Sequence, residues 1–525
     1  MEFDPVLVHE WLTRSAERFP EKEALVFGDE RWTYRELEEK ANALALGLMR
    51  AGVQRHDRVL IFLGNCTEAV VAIYGALKAG AAFVVLEGSL KGPKLQYIIQ
   101  NSGAACLIAH TGKAGTIARA FSEEALSCDI VWVGSDPPQD ITRGRHFSWD
   151  RLFVRQSPQD LNVLPRVIDA DLAALIYTSG STGQPKGVVA THHNMISAAR
   201  SIIQYIGNRE DDIILNVLPL SFDYGLYQMI MTFMFGGTLI LEPSFLYLHP
   251  VLEKIGQEKV TGFPVVPTLL SMLLQMKDLS RYRFQSLRYL TNTGAALPVA
   301  HIQHFRRLFP HVRLFSMFGL TECKRVGYLP PDLIDDKPSS VGFAMPNCEV
   351  SLLDDEGNEV APGAEGELVI RGANVMQGYW RDPELTEKIF RPGQYPEDRR
   401  LHSGDYFRKD EDGFLYFIGR KDDMIKVRGE RLSAGEIENT LNSMPGCAEA
   451  AVIGFPDELL GQAVAVFIVP RPGIPVTEKD VRKFCSQNLE SFAMPQRVEI
   501  LEALPKTANG KVHKLALKSR VEKNV

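Results

Sequence analysis

Between residues 58 and 86 the chain alternates an apolar run, a helical stretch and a second apolar run. That alternation restricts the fold more than any other feature. Arg58 to Leu63 reads as a short buried strand, Thr67 to Ala79 has helical spacing, and Ala81 to Leu86 is again an apolar strand. A strand, a helix and a strand at this spacing imply parallel pairing with a right-handed crossover. Upstream, Thr33-Tyr34-Arg35-Glu36 has the capping-box pattern, and Leu37, Ala41, Leu44 and Leu48 then fall on one helical face before Gly52 ends the helix. Apolar runs at Leu172 to Tyr177, Ile213 to Leu218 and Thr238 to Leu241 continue the pattern. The fold class is therefore α/β.

Beyond Gly342 the texture changes. Glu349 to Leu353 and Glu367 to Arg371 read as strands between Asp/Gly and Pro/Gly turns, which predicts a β-rich subdomain at about 343–419. After Gly419 another unit begins, with strands near Ala450 to Gly454 and Ala463 to Val469 and a helix near Thr477 to Leu489. At 525 residues the chain is long enough for about three or four domain-sized units. The expected division is a large N-terminal domain over 1–420, with two layered α/β subdomains and the β-rich one, and a small α+β domain over 421–525.

Charge and cysteine content narrow the function classes. With 58 basic against 65 acidic side chains, and no long run of one sign, the chain lacks a nucleic-acid footprint. Its apolar runs are far shorter than the ~20 residues a membrane span needs. Seven dispersed cysteines without a C-x-x-C pair fit free thiols in a reducing compartment. Met1-Glu2-Phe3-Asp4-Pro5 has neither the basic start nor the apolar core of a secretory signal. A cytoplasmic enzyme is expected.

The strongest local signal is Tyr177-Thr178-Ser179-Gly180-Ser181-Thr182-Gly183-Gln184-Pro185-Lys186-Gly187, directly after an apolar strand. Its glycines let backbone N–H groups approach an anion, its hydroxyls add donors and Lys186 adds charge, which is what cradling phosphate requires. The spacing is not that of the P-loop NTPases. This segment resembles the phosphate loop of the AMP-forming adenylating superfamily of acyl-CoA synthetases, nonribosomal peptide synthetase adenylation domains and luciferases. Further segments match in order: Leu77-Lys78-Ala79-Gly80-Ala81, Phe318-Gly319-Leu320-Thr321-Glu322, Gly366-Glu367-Leu368 through Gly378-Tyr379, His402-Ser403-Gly404-Asp405, Gly419-Arg420-Lys421-Asp422-Asp423 and Pro505-Lys506-Thr507-Ala508-Asn509-Gly510-Lys511. The resemblance runs from about residue 8 to residue 518.

The resemblance implies roles residue by residue. Thr178 to Gly183 and Lys186 would hold the triphosphate of ATP, Thr321 the α-phosphate, and Glu322 a Mg²⁺ ion. Gly294, Ala295 and Ala296 would pack against adenine. Asp405 would accept the ribose hydroxyls, and Arg420 would reach ribose or phosphate. Lys511 would be the catalytic lysine that the mobile C-terminal domain carries into the site. Asp422 would be the hinge of that domain. Gly429 would line the thiol tunnel, although it reads equally well as an ordinary turn glycine. The implied reaction is activation of a carboxylic acid as acyl-adenylate, then transfer to CoA or to the phosphopantetheine of a separate carrier protein. The acceptor is expected in trans because 14 residues follow Lys511. A luciferase-like oxygenase and a non-catalytic nucleotide-binding protein are the readings from other classes.

The substrate pocket, with Asp223, Tyr224 and Gly319, departs from simple acyl-CoA synthetases. Phe222-Asp223 is closer to amino-acid-activating domains, where this aspartate holds an α-ammonium; on that reading the chain would adenylate an amino acid and load a carrier protein in trans. The alternative is that Asp223 caps a helix beginning at Tyr224. The residues after the Thr-Glu pair, Cys323-Lys324-Arg325, receive no role.

Overall fold

The computed structural model describes residues 4–522 except 122–127, 135–140, 142–143, 154–156, 158, 180–183, 277, 396–397, 422–424, 428–429, 458–460, 490–492 and 508–510. The capping box forms as read: Thr33 Oγ1 accepts from the Glu36 N–H, and Glu36 Oε2 accepts from the Thr33 N–H, opening the helix Tyr34–Arg50. Arg58–Phe62 and Ala82–Val85 pair in parallel around the helix Thr67–Lys78. They lie inside a seven-stranded sheet that runs His146–Ser148, Asp129–Val133, Cys106–His110, Arg58–Phe62, Ala82–Val85, Leu172–Ser179 and Pro185–Thr191. Only the last pair is antiparallel. Val59 to Phe62 are all fully buried, because a parallel strand is covered on both faces.

A second, nine-stranded sheet is built mainly of parallel strands, with Ile213–Asn216 beside Thr238–Leu241 and Gly262–Val265, then Tyr289–Asn292 and Arg313–Phe318. One continuous core joins the two α/β layers. Within it the ring of Phe233, from the helix Asp223–Phe235, meets Tyr34 and Tyr74 of two other helices at 6.0 and 5.7 Å. The strand Phe343–Ala344 pairs with Gly327–Leu329 and belongs to this second sheet. The antiparallel β-rich layer therefore starts at Cys348–Leu353 and continues through Glu365–Gly372, Phe390–Pro392 and Arg399–Lys409 to Leu415–Arg420.

The remaining unit is α+β. Cys447–Asp457 and Gly461–Pro470 form a long hairpin, and Arg497–Ile500 adds in parallel at its side. The helix Glu478–Asn488, capped by Thr477, packs over it. Its apolar clusters draw only on residues from Ile425 onward, separate from the core of the large layers. The fold class is the α/β arrangement expected, with a β-rich layer and a terminal α+β unit. Among the described residues no helix is long and apolar enough to cross a membrane.

Candidate active site

The phosphate-loop candidate is flanked by two antiparallel strands. Leu172–Ser179 returns antiparallel as Pro185–Thr191, with Thr178 opposite Lys186 and Ser179 opposite Pro185. Gly180, Ser181, Thr182 and Gly183 lie outside the described residues. The Lys186 ammonium is 6.0 Å from the centre of the Tyr379 ring. The Tyr379 hydroxyl in turn donates to Glu322 Oε1 at 2.6 Å. Burial, and then the Glu322 carboxylate beside it, push the Tyr379 phenol well above its ordinary pKa, so it keeps its proton for this contact. The Met376 N–H donates to the Glu322 carbonyl, tying the Thr321-Glu322 turn to the segment before Tyr379.

Asp405 and Arg420 face each other across two antiparallel strands. Arg420 Nε donates to Asp405 Oδ1 at 2.9 Å, and Asp405 is 2% exposed. Burial raises the Asp405 pKa, while the Arg420 guanidinium opposes the shift.

Lys511 enters the same cleft from the α+β unit. Its loop is closed by the Thr507 N–H donating to the Lys511 carbonyl at 2.7 Å and by a bridge between Lys506 and Val512. The residue keeps solvent contact at the surface, but its ammonium is 5.8 Å from the Phe222 ring centre. Lost solvation lowers its pKa, and the carboxylates of Asp223, Asp405 and Glu322 work against that. Gly294 has φ +93°, which favours glycine, and a Cβ there would stand 3.6 Å from both Lys511 Cε and Phe222 Cζ. Ala295 and Ala296 follow it in an exposed turn.

On the acyl side the structure corrects the helix-cap reading of Asp223. The helix begins at Asp223 itself, Phe222 is the cap residue, and no side chain caps this end. Asp223 instead meets Lys324, whose Nζ donates to the Asp223 carbonyl at 2.8 Å and lies 3.4 Å from Oδ2. Lys324 is 2% exposed and stands over the rings of Tyr227 and Tyr224 at 4.5 and 5.4 Å. Burial, only partly offset by Asp223, lowers its pKa to about 7. Gly319 makes this possible, because a Cβ there would sit 2.3 Å from the Lys324 carbonyl oxygen.

The family profile described as AMP-binding enzyme matches residues 12–380, and that for the AMP-binding enzyme C-terminal domain matches 436–511. The chain belongs to the AMP-binding enzyme family. This AMP-binding enzyme is 29% identical over 98% of its length to a long-chain-fatty-acid–CoA ligase of Salmonella typhimurium, covering 95% of that protein. It is 31% identical to an indoleacetate–CoA ligase of Aromatoleum aromaticum, with 96% of each chain covered. Its fold superposes on the crystal structure of an anthranilate–CoA ligase in complex with anthranoyl-AMP with a TM-score of 0.87, at 27% identity over 99% of this chain and 98% of that one.

In this AMP-binding enzyme the structure brings together Lys511, Gly294, Asp223, Glu322, Asp405 and Arg420 around one cleft, with Thr321 in the turn beside Glu322. Asp422 and Gly429 lie outside the described residues. Three residues escaped the sequence reading: Tyr379, Lys324 and Arg325. Tyr379 stood inside a matched motif, and a buried tyrosine needs a partner for its hydroxyl. Lys324 and Arg325 follow the Thr-Glu pair and received no role.

Proposed function

We propose that this chain is an AMP-forming acid–thiol ligase whose cleft joins ATP to a carboxylic acid and then releases the acyl group to a thiol. The observation that supports it is Lys511, a cation from one unit placed among the carboxylates of the other. In the first half-reaction the acid's carboxylate attacks the α-phosphorus in line, and the bond to the pyrophosphate oxygen breaks. Two anions must approach, so the Lys511 ammonium bridging carboxylate and phosphate stabilises the pentacovalent arrangement. Asp405 is assigned to the ribose hydroxyls, with Arg420 holding its carboxylate in place. Thr321 is assigned to the α-phosphate, Thr178 to Gly183 with Lys186 to the triphosphate, and the Gly294-Ala295-Ala296 turn to adenine.

Mg²⁺ fits this donor set. Among the described residues no cluster of three metal-ligating side chains exists. One carboxylate, Glu322, is oriented by Tyr379. A hard cation that keeps its waters and uses one carboxylate plus substrate phosphates suits that arrangement, and when bound it would neutralise charge on the leaving pyrophosphate.

CoA or a carrier's phosphopantetheine is the assigned acceptor, with Asp422 as hinge, Gly429 in the thiol tunnel and the domain division after Arg420. Activation of an amino acid is the second reading, since a subunit of a linear gramicidin synthase is 28% identical over 97% of this chain. The Lys324 contact weighs against it by engaging Asp223. The deciding experiment is acid-dependent ATP–pyrophosphate exchange over a panel of aliphatic, aromatic and amino acids. AMP and pyrophosphate are the expected products; ADP and orthophosphate would sink the reading.

A further inference from the structure

A second buried cation, Arg325, lies near the acyl side of the cleft. Arg325 is 1% exposed, its guanidinium lies 5.4 Å over the Tyr224 ring, and its Nε has no hydrogen-bond partner. The guanidinium does donate to the Tyr205 hydroxyl, whose own proton goes to Met317 Sδ. Among the described residues it forms no ion pair. Asp223 is already engaged by Lys324. An uncompensated buried guanidinium is costly to fold around, and a ligand that brings the counter-charge relieves it.

A line of contacts joins Arg325 to the reaction centre. Lys511 stands over Phe222, Phe222 meets Tyr224 edge-on at 6.2 Å, and Tyr224 carries Arg325 on its face. Tyr224 also sets the depth. Its hydroxyl donates to the Thr291 carbonyl at 2.8 Å and lies 2.7 Å from Thr291 Oγ1. The side chain thus crosses the interior from the helix Asp223–Phe235 to the strand Tyr289–Asn292, which obstructs a long acyl chain on that path.

We propose that the acid activated here is a short dicarboxylic acid, and that Arg325 binds the carboxylate that is not activated. This rests on the acid-activating reading above and names the substrate class for it. The planar guanidinium suits a carboxylate, which can accept two of its N–H groups at once. Lys324 Nζ, 2.8 Å from the Asp223 carbonyl and 3.4 Å from Oδ2, already supplies a donor where an amino acid would bring its ammonium, which weakens the pull of Asp223 on such a substrate.

The test is pyrophosphate exchange by the full chain with length-matched pairs: butyrate against succinate, valerate against glutarate, hexanoate against adipate. Wild type should favour the diacid by at least ~10-fold in kcat/KM, the effect of one charge-assisted contact. In Arg325→Met that ratio should fall to parity or below, and Arg325→Lys should restore part of it. The ratio is taken within one preparation, so a reduced folded fraction cancels. Without substrate, Arg325→Met should melt no lower than wild type, because the variant loses an uncompensated buried charge. Preference of the wild type for monoacids, an unchanged ratio in Arg325→Met, or a marked fall in its melting temperature would each overturn the proposal while leaving the ligase reading intact. No exchange with any acid of the wider panel would instead defeat the ligase reading itself, and this proposal with it.

Discussion

Replacing Lys324 with methionine should remove a pH-dependent part of the stability whose sign and size follow from its surroundings. In the fold its amine faces Asp223, Tyr224 and Tyr227 from one helix and Arg325 and Cys323 from its own loop. Asp223 favours the charged form and Arg325 opposes it, but burial is the largest influence and brings the pKa to about 7, against 10.5 for a free lysine. Between those values the unfolded chain holds a proton that the folded chain has released. Stability must then rise with pH in that window, and below about pH 7 the penalty is fully present and level. Each pH unit above the folded pKa adds ~1.4 kcal/mol, so the step from about pH 7 to about pH 9 should stabilise wild type by roughly 2 kcal/mol relative to Lys324→Met, allowing for the half-titrated start. Urea unfolding midpoints of both proteins across that range, followed by tryptophan fluorescence, measure the difference directly. Other titrating groups are common to both chains and drop out. Parallel curves would refute the reasoning. That outcome would mean that Asp223 keeps Lys324 charged in the fold across the whole range.

The site geometry supports two further predictions. Lys511→Ala should slow acid-dependent pyrophosphate exchange by ~10²-fold or more, since the bridging charge acts as carboxylate and phosphate meet. The same variant should still consume supplied acyl-adenylate with thiol, and exchange at the wild-type rate would remove Lys511 from the reaction. Tyr379→Phe deletes the 2.6 Å contact to Glu322. Losing one such hydrogen bond to a carboxylate should weaken the Mg²⁺ dependence of exchange several-fold, about 1–2 kcal/mol, with the fold intact. An unchanged Mg²⁺ titration would separate Tyr379 from the metal.

The parts of this molecule that were legible in its sequence are those whose causes are local. Parallel strands buried on both faces must be continuous apolar runs, and Val59 to Phe62 is one; a capping box needs only Thr33 and Glu36. The phosphate-loop segment carries its chemistry within eleven consecutive residues. The acyl pocket is different, because its decisive contacts span the chain. Asp223 meets Lys324 across 101 positions, so neither residue's neighbours announce the pair. The one-residue error at the helix start has the same origin: Phe222 is the extended cap residue, and Asp223 turns inward as the first helical residue. Lys324 has φ +64°, a left-handed conformation uncommon for a residue with a side chain. That turn is needed to fold the chain back against Gly319, where no Cβ intrudes, and it sends inward two cations that received no role in the sequence reading. Lys511 is the opposite case: a loop lysine whose partners lie in another unit, legible only through a matched motif. The nucleotide half of the cleft therefore rests on short segments that can be read one at a time, whereas the acyl half depends on how distant segments pack. On the proposal above, selectivity for the acid resides in residues that have no motif of their own.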